Sequence, residues 1–198
     1  GQGKSEVPTD GYTVERRSRD IAEFLERYPR VVLIGWSLGA LEVLHYVHAH
    51  GDARVAGLVL VDSSVGEQPR PPDGNFTEQL AQDRRKSLES FVHAIFRTRQ
   101  SDAQYRNLLE GALRLPLQAS IDLLSYPYPR EHWRDIAWAF KKPLLYVVTP
   151  QFAAQAGNLQ RNRPGTRIEV YEKAGHALFV DEPQRFNALI EDFVRGLK

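Results

Sequence analysis

Cysteine and methionine are both absent from the 198 residues. Without cysteine there is no disulfide, no thiolate metal site and no cysteine nucleophile. A thiol-free chain suits oxidising and reducing compartments alike. Without methionine, Gly1 is not a translation start, and the natural protein is expected to be longer at its N-terminus. An excess of one charge is also lacking. Lys and Arg number 26 against 25 Asp and Glu, a net charge of +1, which removes the electrostatic case for a nucleic-acid partner. No apolar run approaches the length of about eighteen residues that a membrane span needs. No signal-peptide pattern lies within these residues, and a cytoplasmic location is expected. Repeats and low-complexity tracts are missing too. What is present, 42% hydrophobic and 26% charged residues, is the composition of one substantial globular domain.

Apolar spacing organises the chain. Ile21, Phe24, Leu25 and Tyr28 recur at helical steps and Pro29 closes that helix. Val31 to Ile34 is a short apolar run ending in glycine, the profile of a strand buried on both faces. A helix from about Leu38 to His50, closed by Gly51-Asp52, leads to a second strand at Val55 to Val61, which makes a right-handed parallel unit. The cluster Pro69, Pro71, Pro72, Asp73 and Gly74 then breaks the pattern. Helices are expected near 77–97, 102–113 and 116–125, with Pro127 and Pro129 ending that block. Strands resume at Leu144 to Thr149 and Ile168 to Tyr171, with a helix around 152–161 between them and a last one marked by Phe186, Ile190, Phe193 and Val194. The fold class is therefore α/β, with a core from 1–65 and 134–198. A helical insertion over 66–133, leaving the C-terminal end of a strand, reads as a lid over a site.

Gly35-Trp36-Ser37-Leu38-Gly39 matches G-x-S-x-G with a buried strand before it and a helix after it. A turn that tight strains the serine, and the flanking glycines are expected where side chains would collide with helix or strand. Ser37 is the candidate nucleophile. The N–H of Leu38, at the helix start, is the candidate oxyanion donor. A serine needs a base, and the chain has six histidines. His45, His48 and His50 follow Ser37 on one helix, where solvated charge near its C-terminus is expected. The spacing of His45 and His48 also permits a metal, but no carboxylate constellation accompanies it. His93 and His132 fall in or beside the insertion. His176 follows Gly175 after the fourth strand, at the sheet edge that carries Ser37, and is the candidate base.

Taken together these motifs resemble the α/β-hydrolase superfamily along the whole chain. Gly1-Gln2-Gly3-Lys4-Ser5 resembles that fold's G-x-G-x-S turn, residues 35–39 its nucleophile elbow, and Ala174-Gly175-His176 its histidine loop. Gly3-Lys4-Ser5 also looks like the end of a phosphate-binding loop, but the upstream glycine and strand are absent. The resemblance implies a carboxylate after Thr149, yet no Asp or Glu occurs from Lys142 to Ile168. Some members take the acid from the end of the preceding strand instead, which points to Asp62, with Glu67 in reserve. Asp181 and Glu182, before Pro183, read as the N-terminal cap of the last helix. These residues supply only the last four strands of that family's sheet. The strand at 31–34 is then an open apolar edge, and the 198 residues alone are expected to be poorly stable and prone to aggregate.

The activity implied is acyl transfer to water on Ser37 with His176 as base and Asp62 orienting it, without metal or organic cofactor. A small or medium apolar carboxylic ester is the expected substrate. Trp36, Phe152 and Trp133 are the candidate substrate-binding residues. Other aromatics of the insertion, among them Phe91, Phe96, Tyr105, Tyr126, Tyr128 and Trp138, are expected mostly to pack the lid on the core. Two alternatives stay open: a cofactor-free haloperoxidase or perhydrolase with the same triad, and a ligand-binding protein on a hydrolase scaffold.

Overall fold

The computed structural model describes residues 3–72 and 74–197, so Gly1, Gln2 and Asp73 of the motifs above lie outside the described residues. Thr13 opens the first helix, α1 (Val14–Leu25), by accepting from Arg16 N at 3.3 Å. Four parallel strands follow in sequence and in space: β1 (Val31–Trp36), β2 (Val55–Val61), β3 (Leu144–Val148) and β4 (Arg167–Val170), in the sheet order β1-β2-β3-β4. Helix α2 (Leu38–His50) joins β1 to β2, and Trp36 pairs with Val61 at the C-terminal rim.

Side chains of the buried strands alternate between two apolar cores. Leu58, Leu60, Leu144 and Tyr146 face α2 and α8 (Ala153–Asn162), whereas Val59, Val61, Leu145 and Val147 face Leu189 and Phe193 of α10 (Pro183–Arg195). This period-two division between two helical layers is what continuous apolar strands demand. Each leucine so buried contributes about 1.5–3 kcal/mol. Beyond β1 lies no further strand among the described residues. Its outer edge, with Phe24 of α1 and Tyr28 just beyond that helix, lines an open apolar cleft of about 620 Å³, and Ile34 is 46% exposed there.

Between β2 and β3 lie α3 (Phe76–Gln82), α4 (Arg84–Ala94), α5 (Asp102–Leu113), α6 (Leu117–Leu124) and α7 (Arg130–Ala139). Helices α3 to α6 form a small core of their own around Leu80, Leu88 and Leu109. One helix was expected over 77–97, but the chain breaks at Asp83, whose extended backbone and carboxylate, accepting from Lys86 N at 3.1 Å, start α4 afresh. Helix α7 is an addition to the sequence reading. Its Trp133, Ile136 and Ala137, spaced for one helical face, enter the main core against α2, so a boundary at 133 falls inside it. After β4 the chain passes through the short α9 (Leu178–Asp181) into α10.

Candidate active site

Two non-glycine residues in the described chain have positive φ, Ser37 at 53° and Asp62 at 44°. Each such residue costs about 1–3 kcal/mol and persists only where its surroundings over-determine it. Here the backbone does so, since Ser37 N donates to Val61 O at 2.9 Å and Asp62 N to Val147 O at 2.8 Å. Both strained residues thus sit one step past the ends of adjacent strands, on the same rim. Gly35 is required at the turn, because a Cβ there would lie 2.3 Å from Gly39 O and 2.6 Å from Ala40 Cα. Gly39 departs from the expected collision. A Cβ there meets nothing within 4 Å, since that position faces the open cleft beside β1. Leu38 is the first residue of α2, so its N–H has no intrahelical partner and lies at the positive end of the helix dipole.

Asp62 is 1% exposed and both its oxygens are engaged. Oδ2 lies 2.7 Å from His176 Nδ1. Oδ1 accepts from Thr149 N at 2.7 Å and from Thr149 Oγ1 at 2.8 Å. An ionised carboxylate only accepts, so this contact puts the imidazole proton on Nδ1 and leaves Nε2 a free acceptor. Thr149 stands where the more common acid was sought. It serves instead as the donor that holds the alternative one, a role the sequence reading missed although its place at the end of β3 was legible.

The residue that precedes Ser37 ties the histidine loop to the serine turn. Trp36 Nε1 donates to His176 O at 2.8 Å, and the Trp36 and imidazole rings lie 5.1 Å apart. Phe91 of α4 approaches the imidazole from the cap, 6.5 Å between centroids. A cavity of about 280 Å³ opens from Trp36 and Leu38 into the space under α3–α6. Its wall is mostly apolar, including Phe76, Leu88, Phe91 and Leu124, with Ser120 also part of it.

Other expected residues lie elsewhere. Glu67 is directed away from His176, its Oε1 accepting from Trp138 Nε1 at 2.6 Å and its Oε2 from Asn162 Nδ2 at 3.2 Å. Phe152 packs in the main core and does not reach the cavity under the cap. Trp133 is likewise a core residue, its edge facing a separate cleft with Arg130 and Ser64. His45, expected in solvent, is only 3% exposed, because α7 covers that face of α2. His48 and His132 complete an aromatic group around it with Tyr128, whose ring stacks on His132 at 4.2 Å. Burial pushes the His45 and His132 imidazoles below the usual histidine range, and their neighbouring histidines add to that. Among the described residues no group of three or more His, Cys, Asp or Glu is arranged to hold a metal ion. Nor is any described helix long and apolar enough to cross a membrane. Asp181 does not cap α10. Its carboxylate accepts from Gly175 N, Arg97 N and Thr98 N instead.

A parallel sheet with its strained serine and its histidine loop on one rim is the design of an α/β hydrolase. The chain matches the alpha/beta hydrolase family over residues 1–189, and it belongs to that family. Among named relatives it is similar to a pimeloyl-[acyl-carrier protein] methyl ester esterase of Yersinia enterocolitica, 27% identical over 213 residues that cover 96% of this chain and 81% of that protein. The enzyme of the same description from Aeromonas hydrophila is 30% identical over 181 residues, covering 82% and 69%. Of solved structures, an esterase from Exiguobacterium antarcticum superposes with a TM-score of 0.82 at 24% identity, covering 99% of this chain and 79% of that one. A bromoperoxidase from Bacillus anthracis superposes with a TM-score of 0.84 at 19% identity, covering 98% and 79%. At such identities the structural likeness establishes the fold.

Proposed function

We propose that the chain is a serine hydrolase of carboxylic esters, with Ser37 as nucleophile, His176 as general base and acid, and Asp62 as the residue that orients His176. The observation that carries this reading is the 2.7 Å contact between Asp62 Oδ2 and His176 Nδ1 beside the strained turn at Ser37. The relatives from Yersinia enterocolitica and Aeromonas hydrophila are methyl ester esterases, which supports the ester class. The alternative of a pure binding protein drew its weight from the missing acid after β3, and a buried carboxylate on His176 removes that weight.

In the proposed reaction His176 Nε2 takes the proton of Ser37 Oγ as the oxygen attacks the ester carbonyl. The oxyanion that forms accepts from Leu38 N–H, a donor fixed before the reaction and so free of reorganisation cost. His176 then gives its proton to the leaving alkoxide, and the alcohol departs. A water, deprotonated by His176, attacks the acyl-Ser37 carbonyl, and as the acid leaves His176 returns that proton to Ser37 Oγ, which regenerates serine and neutral imidazole. Asp62 keeps the imidazolium charge compensated throughout, and Thr149 keeps Asp62 in place. The helices α3–α6 act as a lid, and the cavity beneath them takes the apolar acyl part of a small or medium ester.

Treatment with a fluorophosphonate, followed by intact-mass measurement, tests the reading. One adduct per chain that disappears in Ser37→Ala is expected. A folded protein that takes no adduct and hydrolyses no p-nitrophenyl ester overturns it.

A further inference from the structure

Asp181 ends α9, just downstream of His176, and its carboxylate faces the turn that leaves α4. Oδ2 accepts from Gly175 N at 2.7 Å and from Arg97 N at 2.9 Å. Oδ1 accepts from Thr98 N at 2.8 Å and from Thr98 Oγ1 at 2.5 Å. One carboxylate therefore bonds the residue immediately before His176 and two successive residues at the foot of the helical cap. The residue immediately after His176 is tied to the same turn, Ala177 N donating to Ile95 O at 2.8 Å. The two backbones approach so closely that a Cβ at Gly175 would lie 2.7 Å from Ile95 O, which explains the glycine in the histidine loop. Burial works against the charged form of Asp181, but the bonds from Thr98, Arg97 and Gly175 outweigh it and hold this carboxyl below its ordinary range.

We propose that Asp181 is a positioning residue that joins the His176 loop to the α4 exit turn, so that the orientation of His176 depends on the docking of the helical cap. The inference rests on the reading of Ser37 and His176 given above and extends it to the residue that ties the histidine loop to the helical cap. Gly175 and Ala177 flank His176: Gly175 is anchored on Asp181, which in turn holds Arg97 and Thr98, and Ala177 is anchored directly on Ile95. Cap and base then move as one unit. A displacement of the cap carries Phe91 away from the imidazole and loosens the loop that sets the Nδ1 to Asp62 contact. Misplacing a reacting group by about 1 Å costs on the order of 100-fold in rate.

The test compares wild type with Asp181→Ala, Asp181→Asn and Thr98→Val. It follows fluorophosphonate labelling by intact mass, kcat and KM on p-nitrophenyl butyrate, and amide hydrogen exchange. In Asp181→Ala the labelling rate and kcat are expected to fall about 10- to 100-fold with KM within about twofold. The final adduct stays at one per chain, so the loss is in rate per site and not in folded fraction. Exchange should quicken together in residues 95–98 and 174–178. Asp181→Asn, which keeps the size but turns one acceptor into a donor, should lie between. Thr98→Val removes the hydroxyl's bond to Asp181, together with the one it accepts from Gln100 Nε2 at 2.8 Å, and should slow labelling about fivefold. It carries the test if Asp181→Ala does not fold. Wild-type rates in Thr98→Val and Asp181→Asn overturn the proposal, as does exchange that quickens in the histidine loop alone. Absence of any wild-type adduct is a different failure, that of the Ser37 reading, and the exchange data then still decide whether the clamp exists.

Discussion

Thr149 and Asp62 share two hydrogen bonds to one oxygen, backbone N at 2.7 Å and hydroxyl at 2.8 Å, which leaves the other oxygen of Asp62 to His176. The arrangement turns a buried carboxylate, costly on its own, into a satisfied acceptor with a fixed direction.

Replacing Asp62 by Asn should therefore cost far more than replacing Thr149 by Val. For Asp62→Asn, kcat on a p-nitrophenyl ester is expected to fall about 10³- to 10⁴-fold, since the amide favours the wrong imidazole tautomer. Thr149→Val keeps the backbone donor and loses one hydroxyl, an expected drop of about fivefold. Steady-state kinetics on both variants, with melting curves to confirm folding, decide this.

The strained turn makes opposite forecasts for its two glycines. Gly35→Ala forces a methyl to 2.3 Å from Gly39 O, a backbone atom that cannot yield, and should destabilise by more than about 3 kcal/mol. Gly39→Ala meets open space within α2 and should leave stability equal, or raise it by up to about 1 kcal/mol. Urea unfolding of the two variants beside wild type measures the contrast.

Chain-length preference should follow the apolar cavity under α3–α6. Ala112 lines it, and Ala112→Phe fills part of its volume. Hydrolysis of an octanoyl ester is expected to drop about tenfold relative to an acetyl ester, in line with the energy of one or two methylenes. Equal loss for both esters would place the acyl group elsewhere.

Acid should weaken the fold through His45. Its pKa lies below the 6.5 of a free imidazole, burial being the main cause, with His132, His48 and His50 adding to it and Glu15 opposing it. Across the packed helix, His132 is lowered by burial and by His48 while Asp135 opposes the shift. A histidine that resists protonation in the native state leaves the unfolded chain to bind protons first. The stability is thus complete above pH about 6.5 and is lost as pH falls toward the depressed native values. Urea midpoints at pH 7.5 and 5.5 should differ for wild type and differ less in His45→Phe.

Local patterns carried most of the fold. Strands β2 and β3 are unbroken apolar runs, and Ser37 sits in a motif whose strand and helix can be read on either side of it. Asp62 could be named because the stretch from Lys142 to Ile168 holds no acid at all. What failed to show was decided by pairs distant in sequence. The burial of His45 depends on α7, and the direction of the Asp181 carboxylate depends on a turn at residues 95–98. Glu67 looked available until Trp138 and Asn162 were brought to it across the fold. Asp83 shows the same limit at short range, because a lone aspartate in an apparently continuous helix starts a new one only when the cap's packing turns the chain there.

The sheet order has a geometric consequence for chemistry. Ser37 leaves β1, Asp62 leaves β2, Thr149 leaves β3 and the loop of His176 follows β4, so each neighbouring strand delivers one member of a row running across the rim. Pairing register acts as the ruler of that row. A slip of one residue between adjacent strands shifts a member by about 3.3 Å, more than any hydrogen bond tolerates. The apolar contacts that lock β1, β2, β3 and β4 in step thereby set the alignment of four polar groups they never touch.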